Sequence, residues 1–102
     1  MTPDELLETM RALLLDEREA ILRFDGEGLA RANEAKSDVL RELRAAPSTE
    51  RPALYAALDQ LQPALRCNLI LLTHARSYVR DMQEEVEANN STSGPLFTRK
   101  SA

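Results

Sequence analysis

The sequence has no tryptophan, only one cysteine and few aromatic residues, which make up 4% of its 102 residues. A single cysteine excludes an internal disulfide and a zinc site built from several cysteines, and it weakly favours a reducing compartment. With so few aromatic side chains, one small domain has to build its core from leucine and alanine. Hydrophobic residues make up 43% of the chain, so the material for such a core is present.

The chain also lacks a long apolar run and an excess of positive charge. Apolar runs such as LILL at residues 69–72 are far shorter than the roughly 20 residues that cross a bilayer. The acidic N-terminus, MTPDELLETM, predicts no secretory signal. The net charge of −4 argues against nucleic-acid binding, because phosphate contacts need clustered Lys and Arg. We therefore expect a soluble, cytoplasmic protein with no membrane insertion and no nucleic-acid partner.

What the chain does have is helical periodicity. Thr2 as cap, Pro3 at the first helical position and Glu5 in a capping box predict a helix over residues 3–24. Asp25, in the break DGEG, should end the turn and cap a second helix, so that the two form an antiparallel hairpin. Apolar residues at three- and four-residue steps predict the buried stripes, which are Leu7, Met10, Leu14, Ile21 and Phe24 in the first helix and Leu29, Ala32, Val39, Leu40 and Leu43 in the second.

A third helical segment follows a second break at residues 45–52, where Ser48 or Thr49 should be the cap. Its apolar seam alternates steps of four and three residues over about five heptads. Pro63 lies inside the seam and predicts a kink or a break into two helices, because proline lacks the amide hydrogen and clashes with the preceding turn. The seam comprises Leu54, Leu58, Leu61, Leu65, Asn68, Leu72, Ala75, Val79, Met82 and Val86.

These elements predict an all-α fold, an antiparallel hairpin plus a long third helix, as a three-helix bundle or coiled coil. We assign residues 1–88 to the helical domain. Residues 89–102 lose the periodicity and are rich in small polar side chains, which predicts a flexible, disordered tail. Leu96 and Phe97 are the only large apolar residues of that tail.

Two charged residues interrupt the apolar stripes of the hairpin. Counting outward from Asp25 places Glu17 and Lys36 at similar heights, within about one helical turn. A buried carboxylate is costly unless it is paired, so we expect a Glu17–Lys36 ion pair that fixes register and adds little net stability. Catalysis would need a second titrating group and a concave site. The sequence indicates neither, and we expect no enzyme activity.

The remaining polar candidates favour packing roles over chemistry. Di-iron four-helix sites have a Glu three residues before a His, but Leu71 stands at that place before His74, so we expect no metal and no cofactor. We interpret Cys67 as a small buried or boundary residue rather than a nucleophile, because no local partner that would activate it is evident. Asn68 either specifies register or oligomeric state, or hydrogen-bonds to another helix.

Helix lengths suggest that part of the seam has no partner within the chain. At ~1.5 Å per residue, a continuous third helix would be about 60 Å long, twice the length of each hairpin helix. Its C-terminal half would overhang the hairpin and expose an apolar stripe, which is typical of a partner-binding site. The alternative is that Pro63 folds the chain back and buries the stripe. The candidate binding residues are Leu71, Leu72, Tyr78, Val79, Met82 and Val86.

Three segments together, LLLDEREAILRFDGEGL, NEAKSDVLREL and RCNLILL, resemble the FlgN family of flagellar type III export chaperones. This resemblance implies a chaperone that holds the hook–filament junction proteins FlgK and FlgL in the cytoplasm, covers their terminal helices and brings them to the export gate. It also implies that the C-terminal part binds the client. The matching positions are Glu17, Asp25, Leu29, Lys36, Val39, Leu40, Leu43 and Asn68.

Two other classes of function compete with this interpretation. A homodimeric coiled-coil adaptor would use the same stripe as its seam, and a stable dimer that ignores a client C-terminal peptide would favour it. An enzyme or metal-binding bundle is the third class, and metal analysis of the purified protein would identify a metal-binding bundle.

Overall fold

The computed structural model describes residues 1–93, and the side chains up to residue 90, and all regular elements of that range are helices. They are α1 (Pro3–Leu22), α2 (Gly26–Ala45), α3 (Arg51–Asp59) and α4 (Gln62–Ser93). The predicted all-α class is confirmed. The chain divides into a first unit, Met1–Leu72, and a second unit that begins at Thr73, and each unit is described by itself.

The predicted capping box begins α1. The Thr2 hydroxyl accepts a hydrogen bond from the Glu5 amide at 3.1 Å, and the Glu5 carboxylate accepts one from the Thr2 amide at 2.8 Å. These reciprocal bonds satisfy two amides that have no partner inside the helix. The hydrogen bond from the Thr2 amide also lowers the pKa of the Glu5 carboxyl below its ordinary value of 4.5.

The end of α1 differs from the prediction, because the helix stops at Leu22 and not at Phe24. Phe24 takes a left-handed conformation with a φ of 54°. The Asp25 amide then donates to the Ala20 carbonyl at 2.8 Å and the Phe24 amide donates to the Ile21 carbonyl at 3.1 Å, which is a Schellman motif. Phe24 is 56% exposed, so the prediction that it faces the core was wrong.

Asp25 caps α2 as predicted, since its carboxylate accepts a hydrogen bond from the Gly28 amide at 2.9 Å.

The buried face of α2 comprises Ala32, Val39 and Leu43. Leu40 is exposed, which corrects its assignment to the buried stripe. It lies one residue past Val39, and that step turns the side chain about 100° away from the direction of Val39.

Substitutions at Gly26 and Gly28 test the contribution of the Asp25 cap to stability, with Gly26 as the control. A Cβ at Gly28 would lie 2.5 Å from a carboxylate oxygen of Asp25, whereas one at Gly26 would meet nothing within 4 Å. We expect Gly28→Ala to displace the capping carboxylate and destabilise the fold by about 1 kcal/mol, with Gly26→Ala neutral or stabilising. Urea denaturation followed by far-UV circular dichroism measures both. Equal stability of the two variants would contradict this role of the cap.

The predicted third helix is broken into α3 and α4, which is the second of the two outcomes expected near Pro63. α3 ends at Asp59, and Pro63 is the second residue of α4. The Gln60 and Leu61 amides donate to carbonyls three residues earlier, at 3.1 and 2.9 Å, and so tighten the turn. Proline fits the first turn of α4 because amides there need no partner inside the helix.

The cap of α3 was predicted wrongly. Its N-cap residue is Glu50, not Ser48 or Thr49, and Glu50 makes no side-chain capping hydrogen bond. Arg51 instead bridges α3 to the end of α2, donating to the Arg44 carbonyl at 2.9 Å and to the Ala46 carbonyl at 3.0 Å.

The core of the first unit is aliphatic, as the shortage of aromatic residues predicts. α1 packs against both α2 and α3. Leu6 and Leu54 are its most completely buried large side chains, and the sequence pattern did not place Leu6 on the buried stripe. The buried cluster comprises Leu6, Met10, Leu14, Val39, Leu43, Leu54, Ala57 and Leu61.

α4 extends further than the predicted domain boundary at residue 88. It continues through Ser93, so the first residues assigned to the flexible tail are helical. The rest of the predicted tail, residues 94–102 with Leu96 and Phe97, lies outside the described residues.

Candidate functional site

A buried polar network lies among the helices of the first unit. Glu17 of α1 is only 5% exposed. The Lys36 ammonium group of α2 donates to one of its carboxylate oxygens at 2.5 Å, so the predicted ion pair is present. The Lys36 side chain is 26% exposed, so water reaches the cationic end of the pair.

Asn68 joins α4 to this pair. Its side-chain amide donates to the second Glu17 oxygen at 3.0 Å and to the Leu14 carbonyl at 2.9 Å. Asn68 is 5% exposed. Of the two roles left open by the sequence, the structure supports the hydrogen bond to another helix. The hydrogen bond between Asn68 and Glu17 was not predicted from the sequence. Both residues are polar positions within apolar stripes, and this common feature could have indicated that they are partners.

The network connects three helices through one carboxylate. Glu17 receives hydrogen bonds on both oxygens, one from α2 and one from α4. A buried carboxylate is tolerated when its charge is paired and its acceptors are satisfied. The arrangement is therefore suited to holding the helices in register.

Two open grooves of the first unit are candidate ligand sites. One, of about 430 Å³, lies between α1 and α2. Its lining comprises the charged residues Asp16, Glu19, Arg23, Asp25 and Arg31, together with Leu13, Gly28 and three alanines. Three acids and two arginines give this lining a net charge of −1. Arg23 pairs with Glu19 at 3.2 Å and Arg31 pairs with Asp25 at 4.0 Å, so the groove offers little net charge that would select a ligand.

The second groove lies between α1 and the part of α4 that belongs to the first unit. It has a volume of about 280 Å³ and includes Leu15, Arg18, Cys67 and Asn68 in its lining. The Arg18 guanidinium lies 3.7 Å from the exposed Cys67 sulfur. Among the described residues, no three His, Cys, Asp or Glu side chains are grouped as metal ligands would be.

The second unit carries an apolar stripe on α4. We define the α4 stripe as Val79, Met82 and Val86, with Tyr78 on its flank. Their exposed fractions are 42%, 47% and 53% for the three stripe residues and 57% for Tyr78. Leu71 and Leu72, also predicted to bind a partner, are half-buried in the first unit. Of the six predicted partner-binding residues, two therefore lie half-buried in the first unit. The other four lie in the second unit and are exposed to solvent.

Charges are unevenly distributed along this part of α4. Arg76 and Arg80 lie toward the N-terminal end of the stripe, and Asp81, Glu84, Glu85 and Glu87 follow them along the helix. At 100° per residue, Arg76 and Glu85 lie beside the stripe, so these two are the charges nearest to a partner helix that lies along it.

No helix in the described part of the chain is both long enough and apolar enough to span a membrane. No family model, curated protein or solved structure matches the sequence or the fold of this chain.

Proposed function

We propose that this chain is a cytoplasmic export chaperone of the FlgN type. Its clients would be the hook–filament junction proteins FlgK and FlgL, and it would deliver them to the export gate of the flagellar type III apparatus. Two arguments support the proposal. The first is the resemblance of residues 13–29, 33–43 and 66–72 to that family, and the second is the exposed α4 stripe.

The α4 stripe is the single observation that carries the proposal. Val79, Met82 and Val86 are spaced by three and four residues, so they lie on one face of the helix. An amphipathic client helix can lay its own apolar face along such a stripe and remove both surfaces from water. Met82 suits this role, because its flexible side chain adapts to different partners.

The proposed mechanism is reversible binding without covalent chemistry. The stripe covers the apolar face of a client's terminal helix and so prevents that face from pairing with other clients. A contact of only a few side chains favours a complex that can also dissociate at the export gate, because small interfaces are typical of transient complexes. The buried Glu17 network would keep the first unit folded while the stripe binds and releases clients.

Co-purification with FlgK and FlgL from the same organism tests the proposal. We expect wild-type chain to capture at least one of them, and Val79→Asp/Met82→Asp to lose capture by at least tenfold. The reason is that a carboxylate in an apolar contact loses its hydration without gaining a partner. A tenfold loss corresponds to about 1.4 kcal/mol of binding free energy.

The matched control is Leu22→Asp/Leu40→Asp, which adds the same charge at two exposed leucines of α1 and α2. It should capture the client as wild type does, and both variants should keep wild-type helicity by circular dichroism. Equal capture by wild type and the stripe variant would show that the client-binding site lies outside the α4 stripe. No capture by the wild type at micromolar concentrations would contradict the chaperone function itself.

A further inference from the structure

The groove between α1 and α4 in the first unit has a charge opposite to that of the whole chain. Among the described residues that line it, two are arginines, Arg11 and Arg18, and none is an acid. The α4 wall adds no negative charge, because residues 60–80 contain no Asp or Glu. The groove is therefore a local positive site on a chain with a net charge of −4.

Both arginines of the groove lack a carboxylate partner within the described residues. Neither Arg11 nor Arg18 forms an ion pair there, whereas the exposed Arg23 and Arg31 each do. Glu8 lies one turn before Arg11 on α1, but no ion pair joins these two residues. The two guanidinium groups are therefore available to carboxylates from another molecule.

The hydrogen bond that Arg18 makes across the groove is weak. Its guanidinium donates to the Cys67 sulfur at 3.7 Å, and a thiol sulfur is a poor acceptor. A carboxylate accepts shorter, charge-assisted hydrogen bonds from a guanidinium group, often two at once. A carboxylate that enters the groove would therefore replace the thiol as the acceptor of Arg18.

The spacing of the two arginines matches the geometry of a helix. Arg11 and Arg18 are seven residues apart, so they lie on one side of α1 and about 10 Å apart along its axis. Leu15 lies between them and is 65% exposed. Ala64 and Cys67 on the α4 wall are small and exposed, so they allow another helix to approach closely.

We propose that the groove between α1 and α4 binds an amphipathic helix of a partner protein, which carries carboxylates beside its apolar stripe. Two carboxylates seven residues apart on that helix have the same spacing as Arg11 and Arg18, so each meets one guanidinium group. Apolar side chains between the carboxylates would cover Leu15. A helix seated between two others is the packing of a helix bundle, whereas a small anion would engage only one arginine.

This proposal does not rest on the proposed chaperone function. The groove belongs to the first unit and the α4 stripe belongs to the second unit. The groove is tested with model peptides and the stripe with FlgK and FlgL, so each proposal can fail while the other stands.

Fluorescence anisotropy of the full chain with three labelled model peptides tests the charge complementarity. Each peptide is a stapled helix of about four turns with the same leucine stripe, and two flanking positions seven residues apart carry Glu, Gln or Lys. Wild-type chain should bind the Glu peptide at least tenfold more tightly than the Gln peptide, and the Lys peptide most weakly, because only Glu supplies carboxylates to both arginines.

Charge reversal on the chain should reverse this order of affinity. Arg11→Glu/Arg18→Glu should prefer the Lys peptide to the Glu peptide. The matched control, Arg31→Glu/Arg41→Glu, makes the same change in net charge at two exposed arginines of α2 and should keep the wild-type order. Circular dichroism checks that both variants remain helical.

Cys67 reports where the peptide binds, because it is the only cysteine of the chain and lines the groove. The rate of its alkylation by iodoacetamide, a neutral reagent, should fall at least fivefold when the Glu peptide is saturating, since a bound helix covers the thiol. The Lys peptide at the same concentration should leave the rate unchanged.

Several results would overturn the proposal. They are no binding of the Glu peptide at submillimolar concentration, equal affinity for the three peptides, and an unchanged order of affinity in Arg11→Glu/Arg18→Glu. Binding of the Glu peptide without protection of Cys67 would place the helix outside the groove. Equal protection of Cys67 by hexanoate at the peptide's concentration would make the groove a site for small anions and not for a helix.

Discussion

Replacing Lys36 by methionine is expected to destabilise the first unit by about 2–4 kcal/mol, because it leaves the buried Glu17 carboxylate without its cation. The expected loss lies toward the lower end of the range for fully buried pairs, since Lys36 is partly exposed and water partly replaces it. A small domain has a total stability of only about 5–15 kcal/mol, so the shift in the urea midpoint should be large.

The double variant Glu17→Gln/Lys36→Met should recover most of that loss. Glutamine keeps an oxygen that can accept from Asn68 and removes the charge that lysine had balanced. The control is Arg23→Met, which breaks the exposed ion pair with Glu19 and should cost less than about 1 kcal/mol. Wild-type stability of Lys36→Met alone would show that the pair contributes nothing to the fold.

Replacing Asn68 by aspartate is expected to destabilise the first unit more than replacing it by leucine. Aspartate would place a second buried carboxylate about where the Asn68 amide now donates to Glu17, at 3.0 Å. Lys36 balances only one of the two carboxylates, which therefore repel each other at that separation, and we expect a loss of at least about 3 kcal/mol. Leucine only removes the donor, which costs about 1–3 kcal/mol.

The relative stabilities of the aspartate and leucine variants identify the role of Asn68. Denaturant midpoints measured by circular dichroism give the two stabilities, and sedimentation gives the mass of each variant. If Asn68 instead specified an oligomeric state, Asn68→Leu would change the mass while stability fell little. Equal stabilities of the aspartate and leucine variants would contradict the hydrogen bond to Glu17.

The features that were predictable from the sequence are local or follow from counting along helices. The capping box at Thr2 and the Asp25 cap depend on residues three positions apart. The Glu17–Lys36 pair was predicted because the two residues lie at similar heights, within about one helical turn, when counted from Asp25. The prediction that Phe24 is buried was wrong because the Schellman motif puts this residue in a left-handed conformation, which helical periodicity does not predict. The prediction that Leu40 is buried was wrong because Val39 and Leu40 are adjacent apolar residues, and the pattern does not show which of them faces the core.

The contacts of α4 were harder to predict than its existence. Pro63 signalled a change in the helix, but proline is as compatible with the first turn of a new helix as with a kink. Asn68 was recognised as an interruption, yet its partner depends on how α4 docks against α1. The seam continues through Val86 with the same periodicity, so the pattern alone does not show that Leu61 is buried while Met82 is exposed.

The most direct test of the proposed chaperone function is a titration of the purified chain with a peptide of the C-terminal helix of FlgK or FlgL, followed by calorimetry and by solution mass. The account predicts saturable binding of one peptide per chain with micromolar or tighter affinity, and loss of that binding in Val79→Asp/Met82→Asp. A chain that binds neither peptide at micromolar concentrations, while its circular dichroism shows it to be helical, would contradict the account.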